Sequence, residues 1–259
     1  MTKVLNKRFM QADAIGAVVL AGGFGTRIRE LYPLVPKPMI EVQGLPFIEW
    51  VIRYLASQGI VDICLSVGYK GDVIGIYINN RTHDGLNIST VAEVEPQGTA
   101  GAFLLSAAKL APREYYLAAN GDSLILADLR PAYDALLSGL PDAVIIGLEV
   151  DDCSRFGSLD CDEQGFLLSF REKQTGAGLI NAGIYLFRQE SLSSFPPARP
   201  LSFEYDVFPC FLRAGMKIKV VRSRAPFIDI GTPETIGAAA AFIKDHVLDR
   251  SLQKGGALL

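Results

Sequence analysis

Residues 17–38 read AVVLAGGFGTRIRELYPLVPKP. The apolar residues 17–20 run into Ala21, Gly22, Gly23, Phe24, Gly25, Thr26 and Arg27, and ten residues later Lys37 stands between Pro36 and Pro38. A short apolar run stopped by glycines predicts a buried strand feeding a loop. Glycines let the backbone approach a ligand closely, so successive amides can line an anion, while Arg27 and Lys37 add fixed positive charge. The expected ligand is a polyphosphate. Spacing excludes two familiar phosphate loops. Gly23-Phe24-Gly25 starts a G-x-G-x-x-G, but Ile28 stands where the third glycine belongs, and no G-x-x-x-x-G-K-[ST] occurs.

Outward from this loop, helical and strand periodicities alternate. Pro46 suits a first helical position, and Phe47, Ile48, Val51, Ile52 and Leu55 recur at three-to-four spacing until Gly59. Residues 61–67, 88–94, 115–119 and 143–150 read as strands, and residues 72–78, 102–110 and 129–137 as helices. Such alternation predicts an α/β fold, a mainly parallel sheet with helices on both faces. Its ligands bind beyond the carboxyl ends of the strands. After residue 150 come short strand-like runs, 157–160, 166–170 and 179–187, separated by turn signals. They predict a strand-rich subregion inserted at the sheet's edge. Ser202 then reads as a helix N-cap with Asp206 in the first turn, residues 218–221 as a strand, and Pro233 as the opening of a final helix. No Pro/Ser-rich linker interrupts the chain, so residues 15–250 are expected to form one domain, between a flexible leader 1–14 and a mobile tail 251–259.

Composition narrows the function. At 259 residues with 49% apolar side chains the chain can bury a large core, and a net charge of −3 without a basic block excludes general nucleic-acid binding. Four cysteines without C-x-x-C spacing read as ordinary thiols of a reducing compartment. No apolar run reaches the roughly 18 residues of a membrane span, and the leader has no signal-peptide core, which places the protein in the cytoplasm without a membrane partner. A homo-oligomer is compatible with the apolar, aromatic second half, although no single patch is legible there.

Two further features carry chemistry. Asp122 follows an apolar run and Gly121, a place where a carboxylate can hold Mg²⁺ against phosphate oxygens and equally where a turn aspartate occurs, and Asp229 likewise follows an apolar run and precedes a glycine, Gly231, two residues on. The loop Glu93-Val94-Glu95-Pro96-Gln97-Gly98-Thr99-Ala100-Gly101 precedes a helix whose N-terminal amides could face a ligand. Glu95 there can accept two N–H donors, as guanine N1–H and N2–H₂ provide, though uracil or thymine N3–H could also be read.

The glycine loop followed by Pro-Lys-Pro resembles the signature of the sugar-1-phosphate nucleotidyltransferases over residues 18–39. Later segments match the same family: E-P-x-G-T-A-G at Glu95, R-F-G at Arg155 and Gly157, the pair Glu172-Lys173, and N-A-G-I-Y from Asn181. The resemblance implies a Rossmann-like three-layer fold and the reaction of a nucleoside triphosphate with a sugar 1-phosphate to give NDP-sugar and pyrophosphate. It implies nucleotide contacts from Leu20, Ala21, Gly22, Gly23, Gly25, Thr26, Glu95, Gly98, Thr99 and Gly121. Arg27 would meet the β and γ phosphates, Lys37 the α-phosphate, and Asp122 with Asp229 would bind Mg²⁺. On the sugar side, Lys173 would bind the sugar phosphate, with Arg155, Gly157, Glu172 and Asn181 around it. Glu204 would reach a sugar hydroxyl or simply stabilise a helix start. Within the family the motifs look most like D-glycero-D-manno-heptose 1-phosphate guanylyltransferases, which make GTP the expected nucleotide and surface polysaccharide, such as capsule or lipopolysaccharide, the expected destination. Hexose 1-phosphate transferases using GTP, UTP, CTP or dTTP, and a catalytically silent NDP-sugar sensor, are the alternatives. An NDP-sugar glycosyltransferase would need a D-x-D motif; Asp160-Cys161-Asp162 has that spacing but lies between turns.

Overall fold

The computed structural model describes residues 14–26, 28, 30–171 and 175–249. Of the expected leader, residues 1–13, and all of the expected tail, residues 251–259, lie outside that set. In chain order, β1 (Ile15–Ala21) leads through a short ribbon of β2 (Glu41–Val42) and β3 (Leu45–Pro46) into α1 (Phe47–Ser57). Then come β4 (Asp62–Val67), α2 (Gly71–Asn79), β5 (Asn87–Ala92), α3 (Thr99–Ala107), β6 (Tyr115–Asn120), β7 (Ser123–Ile125), α4 (Arg130–Leu137) and β8 (Ala143–Val150). The second half adds β9 (Ser158–Cys161), β10 (Leu167–Arg171), β11 (Gly178–Arg188), α5 (Phe208–Arg213), β12 (Ile218–Ser223), β13 (Phe227–Asp229) and α6 (Pro233–Ile243).

The all-apolar sequence of β1 is explained by its place. It pairs in parallel with β4 on one edge and β6 on the other, and both of its faces are covered. Alternate residues serve different layers. Ala17, Val19 and Ala21 pack with α1, α2, α4 and α6, whereas Val18 packs with α3 and α5. The expected helix period of α1 is what fills the first layer. Ile48, Ile52 and Leu55 are fully buried, each contributing about 1.5–3 kcal/mol relative to exposure. Pro46 lies one residue before this helix, extended at ψ 145° and paired with Glu41 in the ribbon. Its fixed φ suits that role as well as a helical one. Among the described residues, no helix is long and apolar enough to cross a membrane.

The strand-rich second half departs from the expected edge insertion. β11 pairs antiparallel with β6 in mid-sheet, then with β8, which pairs in parallel with β12. Only β9 and β10 form a side flap, and the register fixes its position. Ile184 lies opposite Ala119 near the carboxyl end of β6, and four residues earlier Ile180 lies opposite Ser158 of β9 on that same edge of β11. The flap therefore extends the sheet beyond the point where β6 ends in Asn120, Gly121 and Asp122.

A polar knot ties the helices of the first layer together. Glu49 of α1 is 3% exposed; it accepts from Arg53 Nε at 2.9 Å and from the Tyr77 hydroxyl at 3.2 Å, and meets His83 Nε2 at 3.1 Å. Burial alone would raise its carboxyl, but hydrogen bonds and charge from Arg53 and His83 hold it below the ordinary carboxylate value. A lowered carboxyl stabilises the fold above its unfolded titration range and loses that contribution as pH falls through the folded value. Glu49→Gln is accordingly expected to cost about 1–3 kcal/mol at pH 7 and to flatten the decline of stability below about pH 5, measured by urea unfolding across pH. His83, given no catalytic role by its sequence context, belongs to this knot.

Candidate active site

The glycine loop opens where β1 ends. Gly22 has no room for a side chain: a Cβ there would lie well inside 3.0 Å of Glu93 Oε1 and 3.2 Å from the Gly68 nitrogen. The loops after β1, β4 and β5 are thus packed backbone to backbone, with Tyr69 N donating to the Gly22 carbonyl at 3.4 Å and Glu93 N to the Val67 carbonyl at 2.8 Å. Phe24, half exposed, leans on Tyr69 with ring centroids 6.1 Å apart. The loops after β1 and β5 line a cleft of about 540 Å³ at the carboxyl ends of the parallel strands.

Most of the expected nucleotide contacts meet in this cleft. Leu20, Ala21, Gly22, Gly23, Gly25, Thr26, Gly98 and Thr99 line it, as do Lys37 and Asp122. Gly121 does not; its amide donates to the Leu20 carbonyl at 2.9 Å and serves the join between β6 and β1. Glu95 is also outside the lining and exposed, its carbonyl taking the Gln97 side-chain amide at 2.9 Å. The glutamate that lines the cleft is Glu93, whose Oε2 accepts from Gln97 N at 3.0 Å and whose Oε1 lies 3.4 Å from Ser66 Oγ. β5 stops at Ala92, two residues short of the expected end at Val94, so Glu93 and not Glu95 is the carboxylate that directly follows the strand.

The N-terminus of α3 is likewise not free for a ligand. Ala100 N and Gly101 N donate to the Leu201 carbonyl at 2.9 and 3.2 Å, Leu201 N donates to the Gln97 carbonyl at 2.7 Å, and Phe203 N to Thr99 Oγ1 at 3.1 Å. A chain segment from the second half caps this helix, satisfying donors that otherwise need a partner.

The two aspartates adjoin across a small ribbon. Asp229 of β13 pairs with Ser123 of β7, and Ile230 N donates to the Asp122 carbonyl at 2.9 Å. Lys37 Nζ sits 2.7 Å from Asp122 Oδ2 with 14% of its side chain exposed. Asp229 Oδ1 accepts from Gly231 N at 2.9 Å, and its Oδ2 lies 3.6 Å from Arg155. Arg155 is thus placed against an aspartate, over the ring of Phe156. Two carboxylates with hard oxygen donors suit Mg²⁺ shared with phosphate and water, and among the described residues no larger His/Cys/Asp/Glu group competes with them.

On the flap side, Gly157 accepts Asn181 N through its carbonyl at 3.1 Å. Asn181 and Glu204 meet, with Asn181 Nδ2 at 3.3 Å from Glu204 Oε1. Ser202 caps the following turn as expected, accepting from Tyr205 N at 3.3 Å. That turn, Phe203–Val207, is a single π turn, and it leads into α5. Arg27, Glu172 and Lys173 lie outside the described residues. The cysteines have no place in the cleft, and burial pushes the thiols of Cys64, Cys153 and Cys161 up, away from nucleophilic character.

Comparison with known proteins shows the family. The family model described as nucleotidyl transferase matches residues 16–246. The chain is 35% identical over 228 residues to the mannose-1-phosphate guanylyltransferase of Mycobacterium tuberculosis, covering 87% of this chain and 63% of that protein. It is 32% identical over 233 residues to the D-glycero-alpha-D-manno-heptose 1-phosphate guanylyltransferase of Aneurinibacillus thermoaerophilus, covering 89% of this chain and 99% of that one. The crystal structure of HddC from Yersinia pseudotuberculosis complexed with GMP-PN superposes with a TM-score of 0.77 at 34% identity, covering 87% of this chain and 98% of that one. With a phosphate-type glycine loop at the head of a parallel sheet and a family match across nearly all of the described residues, the chain belongs to the nucleotidyl transferase family and is an enzyme of that class.

Proposed function

We propose that the chain transfers a guanylyl group from GTP to D-glycero-α-D-manno-heptose 1-phosphate, giving a GDP-heptose and pyrophosphate in the cytoplasm. The observation that carries the reading is a single cleft lined jointly by the glycine loop, by Glu93 and by the Lys37–Asp122 pair. It brings a backbone-amide anion site, a carboxylate able to read a base, and charges for phosphoryl chemistry into one space. The sugar rests on likeness to heptose enzymes, and mannose 1-phosphate is the competing substrate.

Glu93 takes the base-reading role that the sequence suggested for Glu95. A carboxylate has about four acceptor sites, and the contacts from Gln97 N and Ser66 leave capacity for guanine N1–H and N2–H₂. Those same contacts fix the carboxylate before the nucleotide arrives. Glu93→Gln is expected to lower kcat/KM for GTP by about 10- to 100-fold and to narrow the preference for GTP over ATP, as loss of a bidentate pair does. Glu95→Gln should leave the preference unchanged, and the reverse pattern would return the role to Glu95.

In the reaction, a sugar phosphate oxygen attacks the α-phosphorus in line, and the bond to the β-phosphate bridging oxygen breaks, its electron pair leaving with pyrophosphate. The attacking phosphate is already anionic, so no protein base is needed. The protein's task is to bring two polyanions together and to stabilise charge on the leaving group. Lys37, held by Asp122 beside the glycine loop, is placed for the α-phosphate, and the loop amides for the β and γ phosphates. Asp122 and Asp229 would hold Mg²⁺, which when bound supplies further positive charge against the phosphate oxygens. Arg155, beside Asp229, adds a cation on the flap side. The sequence-based roles of Arg27 and Lys173 complete the proposal.

The test is pyrophosphate release over a grid of GTP, ATP, UTP, CTP and dTTP against heptose, mannose and glucose 1-phosphates with Mg²⁺. Turnover confined to GTP and the heptose is the expected result. Silence on every pair, with GDP-sugar still bound, would make the chain a sensor.

A further inference from the structure

β11 carries a bulge where its register against β8 shifts between Asn181 and Tyr185. Gly183 sits within it, and a Cβ there would fall well inside 3.0 Å of Asn120, a residue that lines the cleft. The bulge therefore butts against the cleft wall. It also turns Asn181 and Tyr185 into one hydrogen-bonded group: Asn181 Oδ1 accepts from Gly183 N at 3.0 Å, and its Nδ2 donates to the Tyr185 hydroxyl oxygen at 2.7 Å. The hydroxyl in turn donates to Glu204 Oε1 at 2.8 Å, while Ser202 Oγ donates to Glu204 Oε2 at 3.0 Å. Asn181 Nδ2 also reaches Glu204 Oε1 at 3.3 Å.

Counting donors separates the roles. Asn181 Nδ2 is directed at the Tyr185 hydroxyl and at Glu204 Oε1, two acceptors inside the group. Glu204 Oε1 takes two donors and Oε2 one, which leaves the half-buried carboxylate an acceptor site on Oε2 for one hydroxyl. Tyr185 is 1% exposed and packs against Phe203 and Phe208, out of reach of a ligand.

We infer that Tyr185 is a positioning residue for the sugar substrate: its hydroxyl, with Asn181, fixes the Glu204 carboxylate so that Oε2 receives a sugar hydroxyl. This rests on the proposed reading that the flap side of the cleft takes the sugar phosphate. Burial, reinforced by the Glu204 charge, pushes the phenol far above its ordinary range, so it is a permanent donor. Two contacts join the group to the cleft, Gly183 against Asn120 and Phe203 N on Thr99 Oγ1. Neither runs through the Tyr185 hydroxyl, whose bonded partners are Asn181 and Glu204, so loss of that hydroxyl is expected to act on the sugar side.

Tyr185→Phe keeps the ring and removes the hydroxyl. In steady-state pyrophosphate release with GTP and heptose 1-phosphate, or mannose 1-phosphate if the grid selects it, KM for the sugar phosphate is expected to rise about tenfold. KM for GTP should stay within about twofold and kcat within about threefold, since uniform binding of one substrate is what is lost. Glu204→Gln leaves Tyr185 packed, weakens the same contact from the other side, and should give the same sugar-only rise. A rise in Glu204→Gln without one in Tyr185→Phe would overturn the positioning role and leave the sugar site standing. No rise in Glu204→Gln would overturn the sugar-side reading and the inference with it, and equal rises in both KM values for Tyr185→Phe would mark a general structural effect.

Discussion

Asp122→Asn is expected to cut pyrophosphate release by about three orders of magnitude or more while the melting temperature moves by no more than a few degrees. The asymmetry follows from where the residue sits. Its carboxylate is 39% exposed, so the fold does not depend on it. Its charge, however, holds the Lys37 ammonium at 2.7 Å in a position that is only 14% exposed. Asparagine keeps the shape and can still accept a hydrogen bond, but it removes the negative charge that fixes Lys37 and that would bind Mg²⁺ together with Asp229. A protein whose chemistry consists of charge placement loses that chemistry when the placement fails, whereas on the proposed reading the triphosphate still docks on the glycine loop. The KM for GTP should therefore change much less than kcat. Near-wild-type turnover would remove Asp122 from both roles, and a collapse in melting temperature would show that the Lys37–Asp122 pair is structural. Pyrophosphate release and circular dichroism on the same preparations separate the three outcomes.

The features legible in the sequence were those whose cause is local. β1 and its loop were readable because apolar residues followed by glycines have one sensible conformation, and α6 because Pro233 marks its start, where the structure adds a reciprocal cap between Thr232 and Thr235. Asp122 and Asp229 were readable as strand-end carboxylates near glycines. What failed depended on distant chain. Nothing near Thr99 announces that Leu201 will cap α3, so the helix was expected three residues late and its amides were offered to a ligand. Glu93 and Glu95 are chemically equal in sequence, and only the end of β5, set by pairing with β4, decides which of them faces the cleft. The same holds for β11. Its apolar pattern predicted a strand, but a pattern of period two says nothing about which neighbour the strand will choose. That choice set β11 beside β6 and put the flap over the end of β6.

The tie between Leu201 and α3 makes Gly98 the most sensitive glycine of the site. Gly98 has φ 73° and ψ 166°, a region that side chains rarely enter, and a Cβ there would lie 2.5 Å from the Leu201 carbonyl oxygen, 2.7 Å from its nitrogen and 2.8 Å from its carbonyl carbon. These are backbone atoms, so no rotamer change relieves the contact. Gly98→Ala must break the Leu201 hydrogen bonds or force the loop from its conformation. Strain of this kind costs about 1–3 kcal/mol and the overpacking a similar amount, so a loss of about 3–5 kcal/mol is expected, near 10 °C in melting temperature for a chain of this size. Gly139→Ala is the control, because Gly139 has a φ of 78° with nothing within 4 Å of its added Cβ, and should cost only about 1 kcal/mol. The kinetic consequence is broader than for Tyr185. Gln97 N holds Glu93, and the Gln97 carbonyl holds Leu201, whose neighbours Ser202 and Phe203 contact Glu204 and Thr99. Displacing Gly98 therefore moves the groups proposed to read the base and to meet the sugar at once, and KM should rise for both substrates, by about tenfold or more each at a temperature where the variant is folded. A variant as stable as Gly139→Ala, or one in which a single KM changes, would mean that the two halves of the cleft are held independently.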